Sequence, residues 1–594
     1  MTTLADWTQS NTAHGLLVAF GEFFQQHGLL QQLLQVPIPQ KTRTFAPQAK
    51  LIEFLAGIMS GIEYLSDMND GPHPLATDDV VARAWDQAHF AHYSSVSRTL
   101  AACGEETVQA LQRVIENFSQ PFLRAAVHEL LCAGSTLVFD LDLMGQPVSS
   151  TSTTYPSAAF GWMNDQVRLG YQLARICLTA QNGMRIWLQG FHHPGNAVSA
   201  TCLQDLVRAA EAQTGVRPQR RTDLAHQRIV AQEASLVRPQ RLLQQQQAKQ
   251  QHWQRTRLHL HVQIAQAEQA LKKPVSAAKT AQLQQHLQQW QQRLPRLDQQ
   301  LADCEQVMAR HQATLAHLQA ELTVLQVWWT QLEADNRANP DAPACRVRMD
   351  SGFGSGANLT WLIEMGYEID TKAIGDKTTQ ALRAQVTAAT LWTRVGDNAE
   401  MVAWPAYHLH ACPYPLTVGL ERFRVGAAYS YATLVRFRQT AQPVELPVWF
   451  AEYNGRQLIE AGNKELKSGV FHVQHLMSHA LSGIQVQVLF AGLAANSVRW
   501  CMPWLHSCVA ESTAKINRTL SSPKHLVRVA ANSPALVQHT ETGMALRFAP
   551  ASALPGVTLF LKGVPAFQLP LGFQEPCKIT TQTTNRPLVA QNLR

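Results

Sequence analysis

"ACRVRMDSGFGSGANLTWLIEMGYEIDTKA", residues 344–373, passes from an apolar run into a glycine-rich turn, then an amphipathic stretch, then a second short run of β-forming residues. The pattern predicts a strand ending at Asp350, a turn, a helix and another strand, which is how an α/β domain is written. Glycines placed directly after Asp350 allow another backbone or a substrate to approach the carboxylate. The same periods occur upstream. "STLVFDLDLMGQPVS" (135–149) alternates around Asp140 and Asp142, two residues apart and therefore on one side of a strand. "QVRLGYQLARICLTA" (166–180) and "GMRIWLQGFH" (183–192) continue as strands, and "NAVSATCLQDLVRAAEAQTG" (196–215) reads as a helix.

The two α/β stretches are separated by a segment rich in Gln, Ala and Leu. From Leu283 through Trp290, Leu297, Cys304, His311, Leu318 and Leu325 to Leu332 a seven-residue repeat is sustained, with intermediate positions such as Leu287, Leu294, Leu301, Met308, Leu315, Leu322 and Trp329. An earlier seam through Trp253, Leu260, Ile264, Ala267 and Leu271 ends at "KKPVS". Two antiparallel arms joined near Pro274, each on the order of 75 Å, are expected, with a kink at Pro295. Such a rod is a spacer, a dimer contact or a partner arm.

At 594 residues the chain needs several domains or large insertions into one. Nearly half of it is apolar, yet no uninterrupted run of about 18 apolar residues offers a membrane span. The start "MTTLADWTQSNTAHGLL" lacks the features of a secretory signal, and ten cysteines without a CxxC pair fit reduced thiols. A cytoplasmic protein without structural zinc is expected. The net charge of +7 is concentrated late: residues 506–594 hold nine Lys or Arg against three Glu, a surface on which phosphates are tolerated. Residues 1 to about 130 read as helices, among them "SSVSRTL", where Ser could cap and Arg98 could reach a phosphate, although a plain helical bundle is the better account of it. Residues 376–447 alternate as strands, with Arg436 and Arg438 on one face, and "HLMSHALSGIQVQVLFAGLAANSVRW" (475–500) is a long apolar helix. "ALVQHTETGMALRFAP" (535–550) is a hairpin turning at "ETG".

"AEYNGRQLIEAGNKELKSG" (451–469) follows the apolar run "PVWF", read as a buried strand. On a helix, Tyr453, Arg456, Lys464 and Lys467 lie seven, four, four and seven residues from Glu460, so all five share one stripe. A surface ion-pair ladder uses the same spacing. The position between a buried-looking strand and an apolar helix instead places the stripe on a cleft. One carboxylate between cations suits a metal-held phosphodiester, with the cations and the phenol on the flanking phosphates. Two metal ions need further carboxylates, and the strand-end candidates are Asp140, Asp142 and Asp350.

Tyr453-x2-Arg456-x3-Glu460-x6-Lys467 resembles the YREK signature of cut-and-paste bacterial insertion-sequence transposases, the insertion sequence 4 superfamily with an RNase H-like DDE core. "VRMDSGFGSGANLTWLIEMGY" is similar to the second-aspartate block of that family, and "FDLDLMGQPVS" to the first, where the D-x-x-x-x-P pattern favours Asp142 over Asp140. The resemblance implies excision of a mobile element and insertion of its freed 3′-hydroxyl into target DNA. It assigns catalysis and two Mg²⁺ ions, or Mn²⁺, to Asp142, Asp350 and Glu460, with Asp140 as a further candidate ligand. It assigns DNA phosphates to Tyr453, Arg456 and Lys467, with Lys464 beside them. The partners it implies are double-stranded DNA, as transposon-end inverted repeats and target, and a second copy of the chain; the setting is a bacterial cytoplasm, acting at the nucleoid. The expected fold is α/β: an RNase H-like mixed-sheet core in three parts (131–221, 341–375 and 448–505), a helical N-terminal DNA-binding domain (1–130), a coiled-coil helical hairpin insertion (222–340), a β-rich insertion (376–447) and a basic C-terminal domain (506–594). The helical hairpin departs from the family pattern.

Two other readings compete. Gly352, Gly354 and Ala357 satisfy the GxGxxA dinucleotide fingerprint with Asp370 downstream, as in an NAD-dependent oxidoreductase; against it, Asp350 would stand beside the pyrophosphate, and Arg346 and Arg348 interrupt the strand. A catalytically inactive DNA-binding protein derived from a transposase is the other. Trp449 is read as a buried strand residue in preference to a base-stacking one. His472, His475 and His479, expected on one helix face, lack a fourth ligand for zinc.

Overall fold

The computed structural model describes residues 9–163, 165–181, 183–274, 276–426, 428–440, 445–509, 514–540 and 543–563. Its strands are β1 (Gln9–Thr12), β2 (Leu137–Pro147), β3 (Ala159–Met163), β4 (Gln166–Thr179), β5 (Arg185–Pro194), β6 (Cys345–Arg348), β7 (Glu368–Lys372), β8 (Thr393–Arg394), β9 (Ala399–Tyr407), β10 (Leu416–Val425), β11 (Ala428–Phe437), β12 (Ala535–Thr540), β13 (Gly543–Phe548) and β14 (Thr558–Leu561). The chain forms two compact units, residues 1–219 with 341–594, and residues 220–340.

The first unit is mixed α/β, built on a ten-stranded mixed sheet in the order β3-β4-β2-β6-β7-β11-β10-β9-β8, with β5 paired to β4. β2 and β4 are antiparallel, as are β4 and β5, whereas β2, β6 and β7 run parallel. The two parallel connections contain the helices Ser199–Thr214 and Gly356–Glu364, as parallel neighbours require. Strand alternation divides β2 between two faces. Phe139 meets the ring of Tyr367, whose hydroxyl donates to Glu211 of the first of these helices. Asp140 and Asp142 lie on the opposite face.

The expected β-rich stretch is present within 376–447 and belongs to the main sheet: after the helix Lys377–Gln385, strands β8 to β11 extend it, because β11 pairs antiparallel with β7. The described N- and C-terminal parts are joined to each other. β1 pairs with β12 in a second, four-stranded sheet, and the N-terminal helices share one hydrophobic core with that sheet and the helix Leu481–Cys508. Phe122 stacks on Trp500 at 4.5 Å within this core. The expected hairpin is present as β12 and β13, while its turn residues Glu541 and Thr542, and Lys578, Arg586 and Arg594 of the basic tail, lie outside the described residues. The helix Leu481–Cys508 is the one described helix long and apolar enough to cross a membrane, and two thirds of its apolar window is buried in the protein. Its Asn496 bonds the backbone of Trp187 in both directions and its Arg499 reaches Glu465, so it serves as a core helix. No described cysteine forms a disulfide.

The second unit consists of two long helices, Thr222–Leu271 and Ala277–Arg337. Contacts such as Gln232 to Glu321, Gln250 to Glu305 and Arg257 to Asp298 advance along one helix as they retreat along the other, so the pair is antiparallel. Leu260, Ile264 and Ala267 from the first seam and Leu297, Leu301, Cys304, Leu315 and Leu332 from the second are buried, and so are Ala225, Ile229 and Leu236, which precede the first seam. The second helix continues through Pro295.

Candidate active site

The parallel register of β2 and β6 positions the first two acids. Asp140 is opposite Arg348; two residues further along come Asp142, in the middle of β2 and not at its end as expected, and Asp350, just past the end of β6. Asp350 leaves its strand into a tight turn, and its carboxylate accepts the Ser351 N–H at 2.6 Å.

The segment carrying the third acid is not one helix. "PVWF" is helical, not a strand, within Leu446–Asn454; the chain breaks at Gly455 and Arg456, resumes as Gln457–Lys464, and widens into a π turn over Glu465–Gly469. Gly455 is needed at the break because a Cβ there would collide with the Arg348 guanidinium. The single stripe expected from helical spacing is therefore redistributed. Tyr453, 4% exposed, packs with Trp449, Met401 and Leu434. This corrects its assignment to a DNA phosphate: the phenol is buried, and burial raises its pKa while Arg456, to which it is hydrogen-bonded, opposes the rise. Trp449 is fully buried, as read from sequence, although on a helix. Lys464 stays on the exposed flank, outside the cluster of carboxylates. Lys467, within the widened turn, is half-buried; burial lowers its pKa and the charge of Asp142 opposes that.

Arg456 ties the remaining groups together. Its guanidinium lies 2.6 Å from Glu460 and 3.7 Å from Asp142. Burial works against its charge, but Tyr453, Asp142, Asp350 and Glu460 together more than offset this and raise its pKa. The Glu460 side chain is 47% exposed, with its carboxylate turned to Arg456. Asp142 is pushed up to about 6, first by burial and then by the like charges of Asp350 and Glu460, while Arg456 and the Leu143 N–H pull it down. Three carboxylates far apart in the chain thus share one electrostatic site. No protein-family model and no curated protein matches this chain.

Asp140, the alternative first carboxylate, is removed from the site by its partners. It is 0% exposed, receives both Nε and Nη2 of Arg348 at 2.6 and 2.7 Å, and accepts from Thr179. A buried carboxylate paired in this way has no lone pair turned to a cleft, so its assignment as a metal ligand is corrected to a structural ion pair. The histidine trio is corrected as well: 472–480 is not helical, His472 has φ 49°, and His475 lies 3.2 Å from Glu63. The proposed recognition helix spans Tyr93–Ala102 and is capped by His92, not by serine.

The dinucleotide reading meets two obstacles. A Cβ on Gly354 or Gly356 would run into the carbonyls of Lys372 or His410, so the protein's own backbone occupies the space that the glycines leave. Asp370, 0% exposed, is bound by Arg436 and Arg438 and has no oxygen to offer a ribose.

Sequence reasoning missed Asn463, Arg175 and Lys372. The Asn463 amide donates to Asp142 Oδ2 and its carbonyl accepts from Arg175, which lies 3.2 Å over the Trp187 ring. The signals were available: Asn463 is three residues from Glu460, and Arg175 is a lone charge in the apolar strand "YQLARICLT". The Lys372 ammonium sits 5.7 Å over the Tyr453 ring, and the buried Glu421 beside it is pushed up to about 7 by burial.

The donors fit hard divalent cations, which take carboxylate oxygens. Their mutual repulsion is relieved by added positive charge, the role filled here by Arg456. Among the described residues no three ligands are already drawn to common coordination distance, since the guanidinium stands between Asp142 and Glu460.

Proposed function

We propose that the chain is a DDE-type DNA transposase that cuts a mobile element at its ends and joins the freed 3′-hydroxyl to target DNA. Strands β5-β4-β2-β6-β7, of which β4 alone is reversed, are taken as its RNase H-like core, with the long helical pair as an insertion. The observation that carries the proposal is the convergence of Asp142 and Asp350, through strand register, with Glu460, through the shared Arg456 guanidinium.

Asp142, Asp350 and Glu460 would hold two Mg²⁺ ions, which supply activation of the attacking oxygen and charge neutralisation at the leaving one. The chain's other groups do the positioning. Asn463 fixes the rotation of the Asp142 carboxylate, Tyr453 and the surrounding acids hold Arg456 in the cleft, and Arg456 and Lys467 are the cations within reach of a phosphate there.

The test uses the purified full chain, Mg²⁺ and a supercoiled plasmid carrying the DNA that flanks its gene. Double-strand breaks at inverted repeats are expected for the wild type and none for Asp142→Asn, Asp350→Asn or Glu460→Gln. Cleavage that persists undiminished in these variants refutes the assignment.

A further inference from the structure

The charge of the helical pair is distributed unevenly along its length. Residues 255–300, the parts of the two helices that face each other next to the connecting turn, contain seven Lys and Arg against Glu268 and Asp298. The rest of that unit, 220–254 with 301–340, contains eight against seven acids. All seven cations of the turn-side part are exposed. Arg257 pairs with Asp298 at 2.7 Å, and none of the other six has a carboxylate partner among the described residues. A solubilising surface mixes the two signs, as the rest of this pair does. Here one sign predominates over about 25 Å of rod, at about 1.5 Å per residue. The charges also converge across the pair: His252, Trp253, Arg293 and Arg296 line one groove between the helices, with neutral donors Gln289 and Gln292 among them.

We infer that the turn-side end of this helical pair binds the phosphate backbone of duplex DNA without reading its sequence. Duplex DNA presents about one negative charge per 1.7 Å of axis, so the basic stretch matches roughly seven base-pair steps. Glutamine and arginine along the groove are donors to phosphate oxygens, and the rest of the exposed face offers no base-reading pattern. A lipid surface fits less well, since the large exposed aliphatic side chains there are Leu258 and Val262, too few for an apolar face. The inference goes beyond the proposed reaction and stands whether or not Asp142, Asp350 and Glu460 cleave DNA.

The test is fluorescence anisotropy of the full chain on a labelled random-sequence duplex of about 40 base pairs, roughly five times the length of the basic stretch. EDTA is present throughout, so the carboxylate cluster takes no part, and KCl is varied from 50 to 200 mM. If Arg255, Arg293 and Arg296 each contact a phosphate, the triple variant Arg255→Gln/Arg293→Gln/Arg296→Gln loses about 2.7 from the slope of log K against log salt. Over that salt range the wild type then loses about 40-fold more affinity than the variant. Wild-type affinity and slope in the variant, with far-ultraviolet circular dichroism unchanged, overturn the inference. Should the variant lose helicity, Lys272→Gln/Lys273→Gln/Lys279→Gln beside the turn is measured in the same way and judged by the same slope. Loss of binding to phosphatidylserine vesicles with DNA binding retained also overturns it, in favour of a membrane surface. Failure of plasmid cleavage with this salt dependence intact would refute the transposase proposal alone.

Discussion

Asp142→Asn is expected to stabilise the protein in the absence of divalent metal, even though it removes a carboxylate on which the proposed reaction depends. The Asp142 carboxyl is raised from 3.8 to about 6 in the fold, chiefly by burial. Folding therefore favours its protonated form, by about two powers of ten or about 3 kcal/mol. The sign follows: with the folded pKa above the unfolded one, the wild type is at its best below pH 4, loses stability as the pH rises from about 4 to 6, and stays lower above that. An asparagine does not titrate and can still accept the Asn463 amide, so it avoids that loss. Partial access of water to the cleft reduces the expected gain to about 1–3 kcal/mol, a melting-temperature rise of a few degrees. Differential scanning calorimetry in EDTA at pH 4.5, 6 and 7.5 should show a difference between variant and wild type that grows with pH and levels off. Added Mg²⁺ should raise the wild-type melting temperature and leave the variant unmoved. A variant less stable than wild type at pH 7.5, or a difference independent of pH, would refute the account of Asp142 as a buried carboxylate crowded by two others.

Asp140→Asn should behave in the opposite way, because it leaves the Arg348 guanidinium buried without its countercharge. A loss of about 3–5 kcal/mol is expected, seen as a lowered urea midpoint at every pH from 5 to 8. Gly455→Ala places a methyl group against the same guanidinium and should cost about 1–3 kcal/mol by the same measurement. Asn463→Ala frees the Asp142 carboxylate to rotate and should weaken Mg²⁺ or Mn²⁺ binding about 10–100-fold by calorimetry, with little change in secondary structure by circular dichroism.

How far the sequence could be read depended on whether a feature was local. The strand–turn–helix–strand unit at 344–373 follows from periods of 2 and 3.6 within thirty residues, and the structure has β6, the helix Gly356–Glu364 and β7 there. The seams of the long helices follow from a seven-residue repeat, and most residues buried along them are members of those seams, although Ala225, Ile229 and Leu236 at the start of the first helix are buried outside them. Helical spacing misled where the helix was not continuous. At the break, Arg348, about a hundred residues earlier, leaves no room for a side chain on Gly455, and the π turn after Lys464 alters the phase that would have aligned Lys467 with Glu460. The choice between Asp140 and Asp142 could not be made from strand alternation, which puts both on one side; it is made by an arginine on the neighbouring strand. Likewise the pairing of β11 with β7 joins 376–447 to the core sheet through hydrogen bonds that no local pattern contains.

The segment 451–469 has three glutamates, and their partners give each a different part. Glu452, before the break, is held by Arg346, Arg436 and Arg438, and burial, its largest influence, is outweighed by these cations so that its pKa falls. Glu465, in the widened turn, is held by Arg185 and Arg499. Both ends of the segment are thus fastened to the sheet and the core helix by arginines from other elements. Glu460, between them, has among the described residues one cation, Arg456, which it shares with Asp142. A carboxylate destined for a metal ion must be held in place through its backbone while its oxygens stay available, and that is the division of labour seen here: flanking ion pairs fix the helix, and the central acid is left with a displaceable partner. The same logic applies to Asp140 and Asp142, neighbours on one strand face, of which the first is spent on Arg348 and the second is kept at the cleft with an amide to orient it. Structural and candidate catalytic acids are separated in this protein by what surrounds them, not by residue type or spacing.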